Sequence, residues 1–289
     1  MSKCPGSIDT IDIKNFQNIN FKRYTINVRN MEVSMKNVKM IITDLDETLL
    51  RSDKSISEHT ISALEKCKLK GIKIAFATAR STQSASKILE KFMPDIFICY
   101  GGALVLANKT VIHRFDIPAD ISSNLINDCL KEPNIIHVLA TNEDVSYTNK
   151  TNPEDKRISH YESVDFSCKT NISYLKISLI SNNSDAVNKI ASAYPMLDLL
   201  RYKGENLYRF ANPNAVKWNA IKAVSDFYNI NTNMFVAFGD DKNDLEMIKK
   251  CGIGVAVENA LDEVKAAARY VCKSNNNDGV ARWLEKYIL

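Results

Sequence analysis

VKMIITDLDETLL, residues 38 to 50, is the stretch on which the fold turns. Its first half is apolar and rich in β-branched residues, the pattern of a strand buried on both faces. It ends in two carboxylates on alternate residues, Asp44 and Asp46, with Thr48 close behind. Buried acids without partners are costly, so a hydrophobic strand that delivers acids to its C-terminal end is building a site. A second acidic run, FGDDKND at 238 to 244, follows another apolar segment, NMFVAF.

Outward from residue 38 the chain alternates strand and helix. SISEHTISALEKCKLKG, residues 55 to 71, predicts a helix with a Ser55–Glu58 capping box and Gly71 just past its end. IKIAFA then reads as a strand, followed by Thr78-Ala79-Arg80, a helix through SASKILEKF closed by Pro94, and a third strand, DIFICY. Successive units of this kind imply parallel strands with right-handed crossovers. The rhythm lapses between residue 101 and about 207. There LVLANKTVIHRF suggests a hairpin and ADISSNLINDCL a helix, followed by a polar stretch. YLKISLI, LDLLRY and NLYRFA suggest strands, and SDAVNKIASAY another helix, a mix that fits an inserted α+β unit. Alternation returns after Pro213 and runs to the last helix, DGVARWLEKYI. The expected division is an extension over 1–37, a core formed by 38–106 with 208–289, and an inserted cap over 107–207. YTINVRNMEVSM, inside the extension, has the pattern of a small hairpin.

Bulk properties exclude several classes. The formal net charge of the 289 residues is +4, too small to argue for nucleic acid, and no basic stripe interleaved with aromatics is present. No apolar run approaches the ~20 residues of a membrane span, and the N-terminus lacks a secretion-signal core. The seven cysteines are scattered and form no CxxC pair, which favours reduced thiols and a cytoplasmic protein over disulfides or zinc.

In an open parallel sheet, ligands bind beyond the C-terminal strand ends. Asp44, Asp46, Thr78 and the acids from Asp240 to Asp244 all fall there, and Lys217 opens the helix that leads into NMFVAF. Each has a bland alternative. Most DxD pairs are solvated turns, a lone lysine is usually a surface group, and the acids of DDKND suit a helix start. Their joint placement after successive strands outweighs these readings. Two carboxylates at ~4 Å repel by roughly 4 kcal/mol at an effective dielectric near 20. Such a cluster needs protons or a cation, and an all-oxygen site with few protein ligands suits Mg²⁺. The chemistry that fits is phosphoryl transfer, with one acid attacking phosphorus and the acid two residues on moving the protons.

ITDLDETLL, FATAR, NAVKWNAI and FGDDKNDLEMI resemble, in order, the four motifs of the haloacid dehalogenase superfamily. GIGVAVENALDEVKAAARYV with SNNNDGVA is similar to its Cof-type branch, subfamily IIB. The resemblance covers nearly all of residues 38 to 289. It implies an α/β fold, with a Rossmann-like parallel-sheet core and an inserted α/β cap of C2B type. Carried over by position, Asp44 is the nucleophile, Asp46 the general acid/base, and Thr78 and Lys217 the phosphate-binding pair. Mg²⁺ falls to Asp44, the backbone carbonyl of Asp46, and Asp240, supported by Asn243 and Asp244. The chain departs from the family pattern at Glu47, where glycine is usual, at Ala79 in Thr-Ala-Arg, and at Tyr100-Gly101-Gly102. These bear on the substrate more than on the reaction.

The expected function is a Mg²⁺-dependent phosphatase of small phosphorylated metabolites, sugar phosphates or phosphorylated cofactors. A sugar phosphomutase of the same cap class is one rival. It requires a phosphate clamp in the cap, for which Arg114, Lys156, Arg157, Lys176, Arg201 and Lys203 are candidates. A receiver-like module, phosphorylated on aspartate without turnover, is the other, and Asp46 argues against it. P-type ATPases resemble the superfamily too, but typically carry Thr at that position. A non-catalytic metal-binding relative is a further alternative.

Overall fold

The structure, a computed structural model, describes residues 35, 37–143, 145–150, 161–168, 171–202 and 206–289. The expected N-terminal extension and its hairpin lie almost wholly outside them, as do Lys156, Arg157 and Lys203. Among the described residues, fourteen strands form two sheets.

The first sheet is built around β1 (Met40–Thr43), whose four residues are all buried. β2 (Lys73–Ala77) and β3 (Ile96–Cys99) lie on one side of it, and β12 (Phe235–Gly239), β13 (Ile253–Val257) and β14 (Tyr270–Cys272) on the other. These six strands are parallel, in register Met40 with Lys73 and with Phe235. The chain therefore leaves β1 in one direction and later returns to its other flank, which makes the β1–β12 junction the switch point where a crevice opens. β4 (Leu104–Ala107) and β5 (Thr110–Arg114) extend the β3 edge as an antiparallel hairpin. The expected boundary at residue 107 thus falls inside a hairpin whose second strand stays on this sheet.

Helices cover both faces. α1 (Glu58–Leu69) and α2 (Ser86–Lys91) follow β1 and β2, and the expected strand-helix order is present. The capping box is not. Ser57, not Ser55, caps α1 and accepts from the Thr60 amide, while the Ser55 hydroxyl donates to Asp53. Glu58 therefore occupies the first helical position, too early to reach back to the cap. Gly71 does end this segment in the left-handed region, at φ +76°.

The second sheet runs β10 (Asp198–Arg201), β11 (Leu207–Ala211), β9 (Lys176–Ser181), β6 (Ile135–Asn142), β7 (Val145–Thr148) and β8 (Tyr161–Ser163). β6, β7 and β8 occupy the segment whose sequence reads only as polar. One face of this sheet packs Val138, Ala140, Ile177, Leu179 and Phe210 against α3 (Ala119–Lys131) and α4 (Ser184–Ala193). Each of these side chains larger than Ala140 contributes roughly 1.5–3 kcal/mol. Alternation puts Lys176, Ser178, Thr141 and Arg209 on the other face, as the pairings Ser178–Arg209 and Thr141–Lys176 require. α5 (Lys217–Tyr228), α6 (Leu245–Lys250), α7 (Asp262–Ala267) and α8 (Gly279–Tyr287) complete the cover of the first sheet.

Candidate active site

β1 and β12 place the acids. The Asp44 amide donates to the Phe238 carbonyl at 3.0 Å, so Asp44 leaves β1 beside the end of β12. The chain then makes a tight turn over Leu45–Leu49, closed by the Leu50 amide on the Leu45 carbonyl at 2.8 Å. Asp240 and the short turn Lys242–Asp244 follow β12. Gly239 is required here, because a Cβ would overlap the Asp244 side chain.

Lys217, the first residue of α5, lies buried between two acids. Its ammonium donates to Asp44 at 2.6 Å and to Asp244 at 2.7 Å. Burial works to lower its pKa, but the two carboxylates outweigh burial and raise it, so Lys217 stays charged. Asp244 is fully buried and has few acceptors left. One oxygen takes Lys217, and the other takes the amides of Asp240 and Asp241 at 3.0 and 3.2 Å. Asp240 accepts from the Thr48 hydroxyl at 2.5 Å. Carboxylate oxygens of Asp44, Asp240 and Asp244 fall within 4.8 Å of one another. Burial pushes Asp44 up to about 7 despite Lys217, and pushes Asp240 up to about 6. Acids so displaced take up either protons or a cation. An all-oxygen donor set of this size fits a hard divalent ion.

Asp46 points elsewhere. Its carboxylate takes a two-pronged bond from Arg80, at 2.8 and 2.7 Å, and lies 3.3 Å from the Lys54 ammonium. Burial acts to raise its pKa, but these cations hold it below the ordinary carboxylate value. Thr78 is buried after β2, and its hydroxyl accepts from the Arg80 amide. Asn243 is exposed. Glu47 stands at φ +59°, in the left-handed region, where glycine is at ease. Lys54 at 2.8 Å, Ser52 and Asn275 tie down its carboxylate, so its charge is matched locally.

The Tyr100–Gly102 turn closes the wall. The amides of Tyr100 and Gly101 donate to the carbonyls of Arg80 and Thr78, each at 2.9 Å. A Cβ on Gly102 would strike the Val216 carbonyl and the Lys217 amide. This turn also meets the second sheet: the Tyr100 hydroxyl donates to the Glu143 carbonyl, and the Lys176 ammonium lies 5.4 Å from the Tyr100 ring centre. The other candidate cations are placed differently. Arg114 is held by Asp116, Asn142 and Glu143. Arg201 lies over the Tyr208 ring, on the face opposite Arg209. Lys54 and Arg209 carry no mark in the sequence that separates them from surface cations. Arg80 alone has a signal, its place two residues after Thr78.

Comparison with known proteins shows the family and the fold. A family model described as haloacid dehalogenase-like hydrolase matches residues 41–284. The chain is 27% identical over 273 residues to the 5-amino-6-(5-phospho-D-ribitylamino)uracil phosphatase YitU of Bacillus subtilis, covering 86% of this chain and 97% of that one. A crystal structure from Thermotoga maritima superposes with a TM-score of 0.78 at 28% identity, over 86% of this chain and 97% of that one. The fold is also that of the subclass IIB sugar phosphatase BT4131, with a TM-score of 0.69 at 22% identity over 86% of this chain and 99% of that one. With its acids at the β1–β12 switch point and its motifs in matching order, the chain belongs to the haloacid dehalogenase-like hydrolase family.

Proposed function

We propose that this chain is a Mg²⁺-dependent phosphatase of small phosphorylated metabolites, acting in the cytoplasm through a phosphoryl group carried on Asp44. The observation that carries this reading is the buried Lys217 ammonium, bonded to Asp44 and Asp244 beside Asp240. Sugar phosphates or phosphorylated cofactors are the substrate class, in keeping with the relatives named as a ribitylaminouracil phosphatase and a sugar phosphatase. No helix among the described residues is long and apolar enough to cross a membrane.

The Asp44 carboxylate attacks phosphorus, and the ester P–O bond breaks. Asp46 gives its proton to the leaving alcohol oxygen. Because Arg80 and Lys54 hold Asp46 in its ionised form, this role requires it to leave them and take up a proton from water once substrate is bound. Asp46 then takes a proton from water, the water oxygen attacks phosphorus, and the P–O bond to Asp44 breaks to release phosphate. Lys217 has a third N–H beyond the two given to the acids, and it serves a phosphoryl oxygen together with the Thr78 hydroxyl. Mg²⁺ would be held by Asp44, the Asp46 carbonyl and Asp240, with Asp244 and Asn243 behind, and would neutralise the phosphoryl charge. The second sheet serves as the cap over this site.

Asp44→Asn tests the reading. A folded variant loses roughly 10⁴-fold or more in kcat on a generic phosphate ester, because the nucleophile is gone rather than weakened. Near-normal hydrolysis by that variant contradicts the assignment.

A further inference from the structure

Arg209 sits in β11, on the sheet face turned away from α3 and α4. Among the described residues its guanidinium makes no hydrogen bond or ion pair, and its Nε is shielded from solvent with no partner. Its Nη1 stands 3.6 Å from where a Cβ on Gly101 would lie. Gly101 belongs to the turn whose backbone bonds to Thr78 and Arg80 and abuts Lys217. Arg209 is therefore one turn removed from the groups that hold the phosphoryl oxygens. Lys176 shares its face and reaches the Tyr100 ring of the same turn. The neighbouring Thr141 and Ser178 add hydroxyls but no charge.

A guanidinium whose Nε is shielded from water with no partner is costly, and proteins keep such groups where a ligand completes them. Its planar fork matches the paired oxygens of a carboxylate or a phosphate. We propose that Arg209, with Lys176 beside it, binds an anionic group on the alcohol portion of the substrate. The favoured esters then carry a second anion, a carboxylate or another phosphate, besides the phosphoryl group that is cleaved. This inference rests on the phosphatase reading and narrows its substrate class. It also separates Arg209 from Arg114, whose charge is already matched by Asp116 and Glu143.

The test is kcat/KM on matched pairs, with Mg²⁺ present and para-nitrophenyl phosphate as the reference ester. Phosphoglycerate against glycerol phosphate tests a carboxylate, and a hexose bisphosphate against its monophosphate tests a second phosphate. The native enzyme prefers the more anionic member of at least one pair by roughly tenfold or more, and that pair identifies the group bound. Arg209→Gln brings this ratio close to one, and Arg209→Lys, which keeps the charge but loses the fork, leaves part of it. A merely structural arginine would depress both members of a pair alike and leave the ratio unchanged. Should Arg209→Gln fail to fold by circular dichroism, Lys176→Gln supplies the same reading from the same face. Turnover of para-nitrophenyl phosphate with no preference in either pair overturns the inference and leaves the phosphatase reading standing. So does a ratio unchanged in the folded variants. Absence of turnover on every ester overturns both.

Discussion

Asp244 is the most constrained acid of the site, and its constraints define what the others do. Lys217 and two backbone amides occupy its oxygens, which leaves Asp44 and Asp240 as the proposed ligands of the cation. Both are raised by burial, to about 7 and about 6, so protons would compete with the proposed metal for the same oxygens. Asp240→Ala removes one of the proposed ligands. Titration of activity with Mg²⁺ is expected to show a requirement raised by roughly tenfold or more in that variant, and chelation to stop the native enzyme. Unchanged metal dependence would remove Asp240 from the site. The acids and Lys217 were legible in the sequence because each follows a strand or opens a helix at a fixed place in the alternation. Lys54 and Arg209 were not, because a cation in a turn or on a strand looks like a surface group until folding supplies its neighbours.

Among the elements, α8 is tied to the turn before α1 through a single carboxylate. Asp278 takes both prongs of Arg51, Nε at 3.1 Å and Nη2 at 2.9 Å, and bonds with Ser57 and His59. It sits at φ +53°, a conformation that Asn tolerates as well as Asp, so Asp278→Asn isolates the charge. Burial works to raise the Asp278 pKa, but Ser57, Arg51 and His59 outweigh it and hold the carboxyl below its ordinary value. A depressed acid stabilises the fold above its unfolded pKa of about 3.9, and that contribution is lost as pH falls through the folded value. Urea unfolding is expected to show the variant weaker by about 1–3 kcal/mol at neutral pH, with the gap closing in acid. A gap that persists in acid would contradict the charge-based account. At this scale the parallel core was readable, since its strands are uniform apolar runs. The three strands between Ile135 and Ser163 were not. Their outward residues, among them His137, Thr141 and Ser146, carry polar groups, so the run lacks the unbroken apolar signature.

For the whole molecule, the two chain crossings between the sheets lie side by side: the Asn212 side-chain amide donates to the Asp116 carbonyl at 2.8 Å. Everything that would do the chemistry lies outside residues 117 to 211, including Asp44, Asp46, Thr78, Lys217 and Asp240. Replacing that segment with a short linker is expected to leave a folded core, checked by circular dichroism. This core retains activity on a small activated ester and loses discrimination among metabolites, because a cap excludes water and completes substrate contacts. A folded core with its selectivity intact would refute the role of the second sheet.

The central claim is that phosphate passes through Asp44. Asp46→Asn slows the second step by removing the base that activates water, so the phosphorylated enzyme accumulates. Rapid acid quench with substrate, borohydride reduction of the acyl phosphate and mass spectrometry of the peptides locates the group. The expected result is reduction at Asp44 alone, and none in the Asp44→Asn variant. A phosphoryl group trapped on another residue, or turnover by Asp46→Asn with no trapped species at any time, would contradict it.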